Sequence, residues 1–277
     1  MPYLSPALNV MTSAARKAGR KLIRDFGEVE NLQISLKGPA DFVSVADKRT
    51  ERILIEELQR ARPGYPILSE EAGLLDGPDK SHRFIIDPLD GTTNFLHGIP
   101  HFAISIALER EGQLVSGVIY NPISDDLFIA ERHHGAYLND TRLRVAARKQ
   151  LNTCLSATGI PFLGRGTPDD QERFLTELRA VIEATPGIRR FGSAALDLAW
   201  VAAGRYDAFW EHGLKPWDIA AGILMVREAQ GVATDLNGGE RMLESGDILV
   251  ANEQLHPQLL KLLKSAGRQA SSAAPAT

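Results

Sequence analysis

A run of residue types suited to metal-assisted phosphate chemistry occupies residues 83–95, which read Arg-Phe-Ile-Ile-Asp-Pro-Leu-Asp-Gly-Thr-Thr-Asn-Phe. The apolar, β-prone residues 84–86 end at Asp87, and Asp90 follows three residues later. Two carboxylates at the end of a strand form a hard-oxygen site for a divalent cation such as Mg²⁺. The pattern therefore predicts a buried strand that opens into a cation site.

The residues around Asp90 add a second half to such a site. Pro88 has no N–H group and is expected to block further strand pairing. Gly91 frees the backbone to turn, and residues 92–94 are polar types that favour a helix start. Backbone N–H groups at a helix start can hold a phosphate group. A cation site beside a phosphate site is what metal-assisted hydrolysis of a phosphate ester requires.

An Asp-x-x-Asp pair alone is weak support, because Asp-Pro and Asp-Gly are ordinary turn signals. Other acids must therefore converge on the same place. Asp47 is expected at the N-cap of a helix over 48–62, where capping fixes its carboxylate. Glu70 follows a short predicted strand over 65–69. It would reach the same pocket if that strand lies beside residues 84–86.

Two stretches in the second half of the chain carry further candidates. Gly192-Ser193-Ala194 reads as a strand-to-helix junction of small residues, with Ser193 as a candidate N-cap. Glu211 is expected at the end of a strand, and Asp218 at the start of a helix over 217–229. Each also has an ordinary structural interpretation, as a cap, a dipole-facing acid or a solvated surface acid.

Length and composition narrow the class of protein. The chain has 277 residues with 44% hydrophobic and 24% charged residues, which is typical of a globular protein. The net charge of −4 gives no basic field, so direct nucleic-acid binding is not expected. Cys154 is the single cysteine, which fits a reducing compartment. With no stretch near the ~20 apolar residues of a membrane span and no secretion signal, we expect a cytoplasmic protein without a membrane partner.

The elements that must position the candidate residues follow from hydrophobic periodicity. A helix is expected over 5–26, capped by Ser5, and three consecutive strands over 102–130 favour an antiparallel meander. A change of pattern at 150–166 suggests two parts. The first, 1–150, is an α+β half with the metal and phosphate site. The second, 151–277, is an α/β half that completes the substrate site in one compact unit, with a frayed tail after Ser265.

Together these residues resemble the inositol monophosphatase family. Residues 87–95 resemble its first signature and residues 217–222, Trp-Asp-Ile-Ala-Ala-Gly, resemble its second. Asp47 and Glu70 fall upstream, where the family places its remaining acids. The resemblance covers nearly the whole chain. It implies an α/β (α+β) fold built as a layered α-β-α-β-α sandwich of the sugar-phosphatase type.

The resemblance also implies an activity. Members are Mg²⁺-dependent phosphomonoesterases that hydrolyse myo-inositol monophosphate to inositol and phosphate, through attack by a metal-activated water. They use two or three Mg²⁺ ions per active site, are inhibited by Li⁺ and are commonly homodimers. The expected substrate is therefore a small phosphorylated polyol.

Roles for individual residues come from the same resemblance. The implied Mg²⁺ ligands are Glu70, Asp87, the backbone carbonyl of Leu89, Asp90 and Asp218. The implied catalytic residues, which orient and activate the attacking water, are Asp47, Thr92 and Glu70. The implied substrate contacts are Asp90, Gly91, Thr92, Gly192, Ser193, Ala194, Glu211 and Asp218.

Two alternatives stay open at the level of sequence. Related phosphatases share the Asp-x-x-Asp-Gly core and act on fructose 1,6-bisphosphate, histidinol phosphate or nucleotide 3′-phosphates, although Thr93-Asn94 resembles the inositol branch. A regulatory binding protein that retains the fold is the other alternative, since bacterial relatives have been linked to RNA-processing or transcription complexes. That alternative would add a regulatory protein partner.

Overall fold

Helices and strands alternate along the chain in the computed structural model, which describes residues 5–28, 34–38, 41–162 and 166–273. The helices in these ranges are α1 (Pro6–Phe26), α2 (Val45–Ala61), α3 (Thr92–Leu96), α4 (Pro168–Ala184), α5 (Ala194–Ala202), α6 (Pro216–Glu228), α7 (Met242–Ser245) and α8 (Leu255–Ala273). The earlier strands are β1 (Ile34–Gly38), β2 (Asp41–Ser44), β3 (Ile67–Ser69), β4 (Gly73–Leu75), β5 (His82–Asp90), β6 (Ala103–Arg110), β7 (Gln113–Asn121), β8 (Asp126–Glu131), β9 (Gly135–Leu138) and β10 (Thr141–Arg142). The later strands are β11 (Leu155–Thr158), β12 (Gly187–Arg189), β13 (Ala208–Glu211), β14 (Val232–Thr234) and β15 (Ile248–Ala251).

Two sheets carry most of these strands. The first has eight strands in the order β10-β9-β8-β7-β6-β5-β3-β4. Within it β3 runs parallel to β5, and β6, β7 and β8 form the predicted antiparallel meander. The second sheet has five strands in the order β12-β11-β13-β15-β14, and β11 runs parallel to both of its neighbours. Strands β1 and β2 form a separate antiparallel pair.

Three hydrophobic clusters join the sheets and helices into layers. The first cluster lies between helices α1 and α2 and the outer face of the first sheet. The second lies between the two sheets and encloses α5 and α6. The third lies between the far face of the second sheet and helices α4 and α8. The order of layers is α-β-α-β-α, which confirms the predicted fold class.

Local patterns set several boundaries well. Helix α1 has Ser5 as its N-cap, whose Oγ accepts a hydrogen bond from Leu8 N at 3.2 Å, and Pro6 occupies the first turn. Both the cap and the end at Phe26 confirm the predicted helix. By contrast, α2 begins at Val45, directly after a serine, a residue type that favours the N-cap. The prediction of Asp47 as the N-cap is therefore wrong.

Two further predictions are wrong because packing overrides the local signal. Pro88 does not end the strand, since β5 continues to Asp90 through an irregularity in its pairing with β6. Helix α8 continues to Ala273, so the predicted frayed tail is helical in its described part. Ala266 is buried like Leu259 and Leu263, so the packed face of this helix continues past the predicted boundary at Ser265. Residues 274–277 lie outside the described residues.

Across the part of the chain that the structure describes, none of the helices combines the length and the apolar character needed to cross a bilayer.

Candidate active site

A β-bulge directs Asp87 and Asp90 to one face of the first sheet. Asp87 pairs with Ser105 on β6 and Asp90 pairs with Ala103, so two residues of β5 lie opposite the one residue between those partners. Side chains alternate along a regular strand, so residues three apart would point to opposite faces. The extra residue of the bulge removes that opposition. The two carboxylates therefore share one side.

Asp218 approaches the same point from helix α6. It lies in the first turn, and its Oδ2 accepts a hydrogen bond from Lys215 N at 2.7 Å. Asp218 N donates in return to Lys215 O at 3.1 Å. Ser105 Oγ donates to Trp217 O at 3.2 Å, which connects the start of the helix to β6. These contacts fix a third carboxylate opposite the end of β5.

The three carboxylates form a compact acidic group. One oxygen from each of Asp87, Asp90 and Asp218 lies within 4.8 Å of the others. Burial, together with repulsion from Glu70, Asp90 and Asp218, raises the pKa of Asp87 well above its ordinary range. Burial also raises the pKa of Asp90 to about 6. Because ionised carboxylates this close repel one another, the group gains from a counter-charge. Its hard oxygen donors fit a divalent cation.

Helix α5 holds the Asp90 carboxylate from the second half of the chain. Ser193 is the N-cap of α5, and its hydroxyl donates a hydrogen bond to Asp90 Oδ2. Ala195 N donates to the same oxygen at 2.8 Å. These donors favour the charged form of Asp90 and partly offset the effect of burial on its pKa.

Thr92 and Asp47 meet at the other side of the acidic group. Thr92 Oγ1 lies 3.0 Å from Asp47 Oδ1 and 3.0 Å from the carbonyl oxygen of Leu89. Asp47 is fully buried in the first turn of α2. A hydroxyl group has one proton to donate and two lone pairs to accept with. Thr92 can therefore donate to Asp47 while its oxygen accepts from a third group.

The turn between β5 and α3 requires glycine at position 91. Gly91 has φ 95°, in the left-handed region that favours glycine. A Cβ placed there would lie 3.1 Å from the carbonyl oxygen of His101 and 3.4 Å from that of Gly192. The glycine thus lets the backbone turn sharply beside the acids and approach the junction at 192–194.

Glu70 reaches the site because β3 pairs with β5, as the sequence argument required. Leu68 lies opposite Ile85 in this parallel pair, and Glu70 N donates to Ile86 O at 3.3 Å. Glu51 on α2 fixes the turn that follows, since its Oε1 accepts from Ala72 N at 2.9 Å. Sequence reasoning missed Glu51, although it follows Asp47 by one helical turn on α2.

Glu211 ends β13, as predicted, and lies against a second glycine. A Cβ at Gly159 would lie 1.9 Å from Glu211 Cδ, so the carboxyl group occupies the space that a side chain would take. Gly159 follows β11, the strand that runs parallel to β13. Neighbouring strand ends therefore supply an acid and the space to hold it.

One cavity of about 110 Å³ is lined by all the predicted site residues except Asp47. Those residues are Glu70, Asp87, Leu89, Asp90, Gly91, Thr92, Gly192, Ser193, Ala194, Glu211 and Asp218. Asp47 lies one hydrogen bond behind the cavity wall, through Thr92. The fold therefore brings the predicted set together.

The same cavity has a lining acid that sequence reasoning missed. Asp197 on α5 is 1% exposed, and its Oδ1 has no hydrogen-bond partner among the described residues. Burial, with repulsion from Glu211 and Asp90, raises its pKa well above the ordinary range. Its position four residues after the Ser193 cap, on an otherwise apolar helix, was the available signal.

Comparison with known proteins identifies the family to which this layered fold and its convergent acids belong. The model of the inositol monophosphatase family matches residues 4–268. The inositol-1-monophosphatase of Mesorhizobium japonicum is 58% identical over 260 residues, which are 94% of this chain and 97% of that protein.

Two SuhB proteins are also similar to this chain. The crystal structure of extragenic suppressor protein suhB from Bartonella henselae has a TM-score of 0.91 and 57% identity, covering 94% of this chain and 99% of that one. The Nus factor SuhB of Pseudomonas aeruginosa is 42% identical over 263 residues, which are 94% of this chain and 97% of that protein. The chain belongs to the inositol monophosphatase family, and this membership supports a phosphatase activity.

Proposed function

We propose that the protein is a Mg²⁺-dependent phosphomonoesterase that hydrolyses myo-inositol monophosphate to inositol and inorganic phosphate. The observation that carries the proposal is the convergence of Asp87, Asp90 and Asp218 beside the Thr92–Asp47 pair. Both halves of the chemistry, a cation site and a means of orienting water, then lie at one cavity. The identity of the M. japonicum relative, named an inositol-1-monophosphatase, supports the substrate.

The residues that would hold Mg²⁺ are Glu70, Asp87, Asp90, Asp218 and the carbonyl of Leu89. We expect two or three ions, since two would balance the four carboxylates and a phosphate dianion would balance a third. Bound Mg²⁺ supplies a Lewis acid that polarises the phosphoryl group and lowers the pKa of water. Because Asp87 is buried among other carboxylates, its ionised form is the one that a cation would stabilise most.

The chain's own residues would then position and move one proton. Thr92 Oγ1 accepts a hydrogen bond from the attacking water and donates its own proton to Asp47 Oδ1. As the water oxygen bonds to phosphorus, the phosphorus–oxygen bond to inositol breaks, a proton of the water passes to Thr92 Oγ1 and the threonine proton passes to Asp47. The inositol oxygen leaves as an alkoxide and takes a proton from solvent water. Glu70 holds the water from the side of β3. No covalent phosphoenzyme is formed, so the cavity needs no cysteine nucleophile.

Substrate contacts would divide between phosphate and polyol. The Gly91 and Thr92 amides would cradle the phosphate at the start of α3. The polyol hydroxyls would face Glu211, Asp90, Asp218 and the junction Gly192, Ser193 and Ala194. Glu211 supplies an acceptor to hydroxyl groups, which suits a polyol.

The test is phosphate release from myo-inositol 1-phosphate by the full chain, with and without Mg²⁺. β-Glycerophosphate, fructose 1,6-bisphosphate, 3′-phosphoadenosine 5′-phosphate and histidinol phosphate run alongside. Mg²⁺-dependent turnover that favours the inositol ester supports the proposal. A preference for another ester would keep the chemistry and replace the substrate, and no turnover on any ester would refute the activity.

A regulatory role is the second candidate function. One similar protein is named a Nus factor and another an extragenic suppressor, so a protein partner is a reasonable addition to catalysis.

Size-exclusion chromatography with light scattering tests the proposed homodimer, and inhibition by Li⁺ tests the expected metal dependence. A cytoplasmic location and two cooperating halves, 1–150 and 151–277, complete the proposal.

A further inference from the structure

A charged cluster lies just beyond the end of β13, and its residues Arg173, His212 and Asp247 line a cavity of about 640 Å³ that Glu70, Glu211 and Asp218 also line. His212 Nε2 lies 2.7 Å from Glu177 Oε2 on α4, and His212 Nδ1 lies 3.3 Å from Asp247 Oδ1 just before β15. Arg173 Nε donates to Glu177 Oε1 at 3.1 Å. Glu177 is 1% exposed, so its charge depends on these partners. We refer to Glu177, His212 and Asp247 as the clamp.

The clamp lies directly behind Glu211. Along β13, Ala208 and Trp210 pack with α4 and α8, whereas Phe209 packs with α5 and α6. By this alternation Glu211 faces the side of the catalytic cavity, and the next residue, His212, faces α4. One backbone segment therefore carries a substrate-facing acid on one side and the clamp histidine on the other.

The clamp also closes the end of the β13–β15 ladder. Glu211, the last residue of β13, pairs with Ile248, so His212 directly after the strand lies beside Asp247. Asp247 Oδ1 accepts a further hydrogen bond from Gly213 N at 3.3 Å. Fixing His212 from α4 and from β15 together leaves the Glu211 backbone little freedom.

We propose that His212 is a positioning residue that holds Glu211 in its substrate-facing place, so that recognition of the polyol depends on the clamp. The inference rests on the proposed function, because it concerns how that site selects the alcohol part of its ester. The hydrogen bonds of His212 run to Glu177 and Asp247. Its largest effect is therefore expected on the neighbouring Glu211 and on what Glu211 contacts.

The charges around His212 favour the protonated ring, which donates a hydrogen bond from each nitrogen. The groups that face it are Asp170, Arg173 and Glu177 from α4 and Asp247 from the segment before β15. Burial alone would lower the pKa of His212, but hydrogen bonds to Asp247 and Glu177 outweigh it and raise the pKa to about 9. A protonated ring donates from both nitrogens, whereas a neutral ring donates from one.

Asp218 is held by separate contacts, which makes the inference testable. Its Oδ2 binds Lys215 N within the first turn of α6, and Ser105 connects that turn to β6. Loss of the clamp should therefore move Glu211 without moving the acidic group. The expected signature is a change in the KM for the polyol ester with little change in kcat.

The experiment compares His212→Ala with His133→Ala, a control at an exposed histidine outside the clamp. Three constants are measured at saturating Mg²⁺: kcat and KM for myo-inositol 1-phosphate, and Ki for inorganic phosphate. We expect His212→Ala to raise KM about tenfold, since a hydrogen bond to a charged acceptor is lost. The kcat and the phosphate Ki should stay within about twofold, and the control should match the unaltered protein.

Two additional variants guard against misfolding and indirect effects. Asp247→Asn changes a side chain that is 24% exposed, so it should fold and raise KM by a smaller factor in the same direction. In a Glu211→Gln background, His212→Ala should add nothing to KM, because the residue through which it acts is already altered. Thermal unfolding confirms folding in each case.

The outcomes separate the two proposals. An unchanged KM in both clamp variants, or a phosphate Ki that rises in step with KM, would overturn the positioning role. An additive effect in the Glu211→Gln background would overturn it as well. Absence of phosphate release from the inositol ester by the unaltered protein would instead overturn the proposed function and, with it, the role of the clamp.

Discussion

The molecule contains two groups of buried acids, and the negative charge of the two groups is offset in different ways. In the catalytic cavity, Asp87 and Asp90 lie among other carboxylates and accept hydrogen bonds from neutral donors such as Leu89 N and Ser193. At the end of β13, the clamp acids Glu177 and Asp247 share the cation of His212. Among the described residues, the hydrogen bonds to Asp87 and Asp90 come from neutral donors, although Arg190 also lines the cavity.

The pKa shifts follow this difference. Burial and repulsion raise the pKa of Asp87 and Asp197 in the cavity. Burial would also raise the pKa of Asp247, but the hydrogen bond and charge of His212 outweigh it and lower the value. The clamp acids thus have a counter-charge within the chain, whereas the mutual repulsion of Asp87 and its neighbouring acids would be relieved by a bound cation. Buried acids with strongly raised pKa values that line a cavity mark a candidate functional site.

The largest effect is expected when one charge is removed from the acidic group in the cavity. Asp87→Asn should lower turnover by about 10³ or more, because metal-ion stabilisation of the transition state contributes several kcal/mol. The metal-free variant should be at least as stable as the unaltered protein, since one repelling buried charge is gone. Turnover and thermal unfolding with and without Mg²⁺ measure both effects. Asp76→Asn, at an exposed loop acid, is the control, and near-normal turnover of Asp87→Asn would remove the cavity from catalysis.

The next test addresses the hydroxyl that joins Asp47 to the cavity. Thr92→Ala should lower kcat by about 10², the scale of a lost proton-transfer group. Thr92→Ser keeps the hydroxyl and should retain most activity. Steady-state kinetics at saturating Mg²⁺ distinguish the two variants. If alanine and serine behave alike, proton transfer through this hydroxyl is wrong.

A smaller effect is expected where the cavity meets the clamp side of the sheet. Gly159→Ala would place a Cβ 1.9 Å from Glu211 Cδ, and the flexible carboxyl end must turn aside. The KM for the inositol ester should rise about tenfold with little loss of stability, since only a side-chain end moves. Gly27→Ala, at φ −69° with its nearest neighbour 3.5 Å away, is the matched control. An unchanged KM would exclude Glu211 from substrate contact.

In the metal-free protein, the pH dependence of the free energy of unfolding should show the repulsion within the acidic group of the cavity. The folded-state pKa of Asp90, about 6, lies above its ordinary value of 3.8. Its protonated form therefore favours folding below the ordinary value, and that contribution is lost as pH rises through about 6. The free energy of unfolding in EDTA, from urea titrations, should fall between about pH 4 and pH 6. Saturating Mg²⁺ should reverse the fall, and a pH-independent value in EDTA would contradict the repulsion.

The contribution of the clamp to stability should change at higher pH, and this change should not depend on Mg²⁺. The folded-state pKa of His212, about 9, lies above its ordinary value of 6.5. Its stabilising contribution is fully present below 6.5 and is lost as pH rises through about 9. Unfolding midpoints should fall by a few °C between about pH 6.5 and pH 9 in the unaltered protein. The fall should be absent in His212→Ala, and an equal fall in that variant would assign it to other groups.

Much of this architecture could be predicted from sequence because the signals are local. The Ser5 cap and its helix, the β6–β8 meander and the acid-bearing ends of β5, β13 and α6 all follow from side-chain type and period. The residues of the candidate site could likewise be named in advance. Where local signals conflicted with packing, as at Pro88 and at the start of α2, the predicted boundary was wrong.

Only the tertiary structure decided how those residues meet. The bulge that directs Asp90 to the side of Asp87 depends on pairing with β6, and Glu51 supports the turn after Glu70 across 20 residues of chain. The clamp joins Glu177 to His212 across 35 residues. Sequence fixes which groups can carry charge or accept a proton, since that is covalent chemistry. Distance, burial and the partner of each charge are set by long-range packing, which no local pattern encodes.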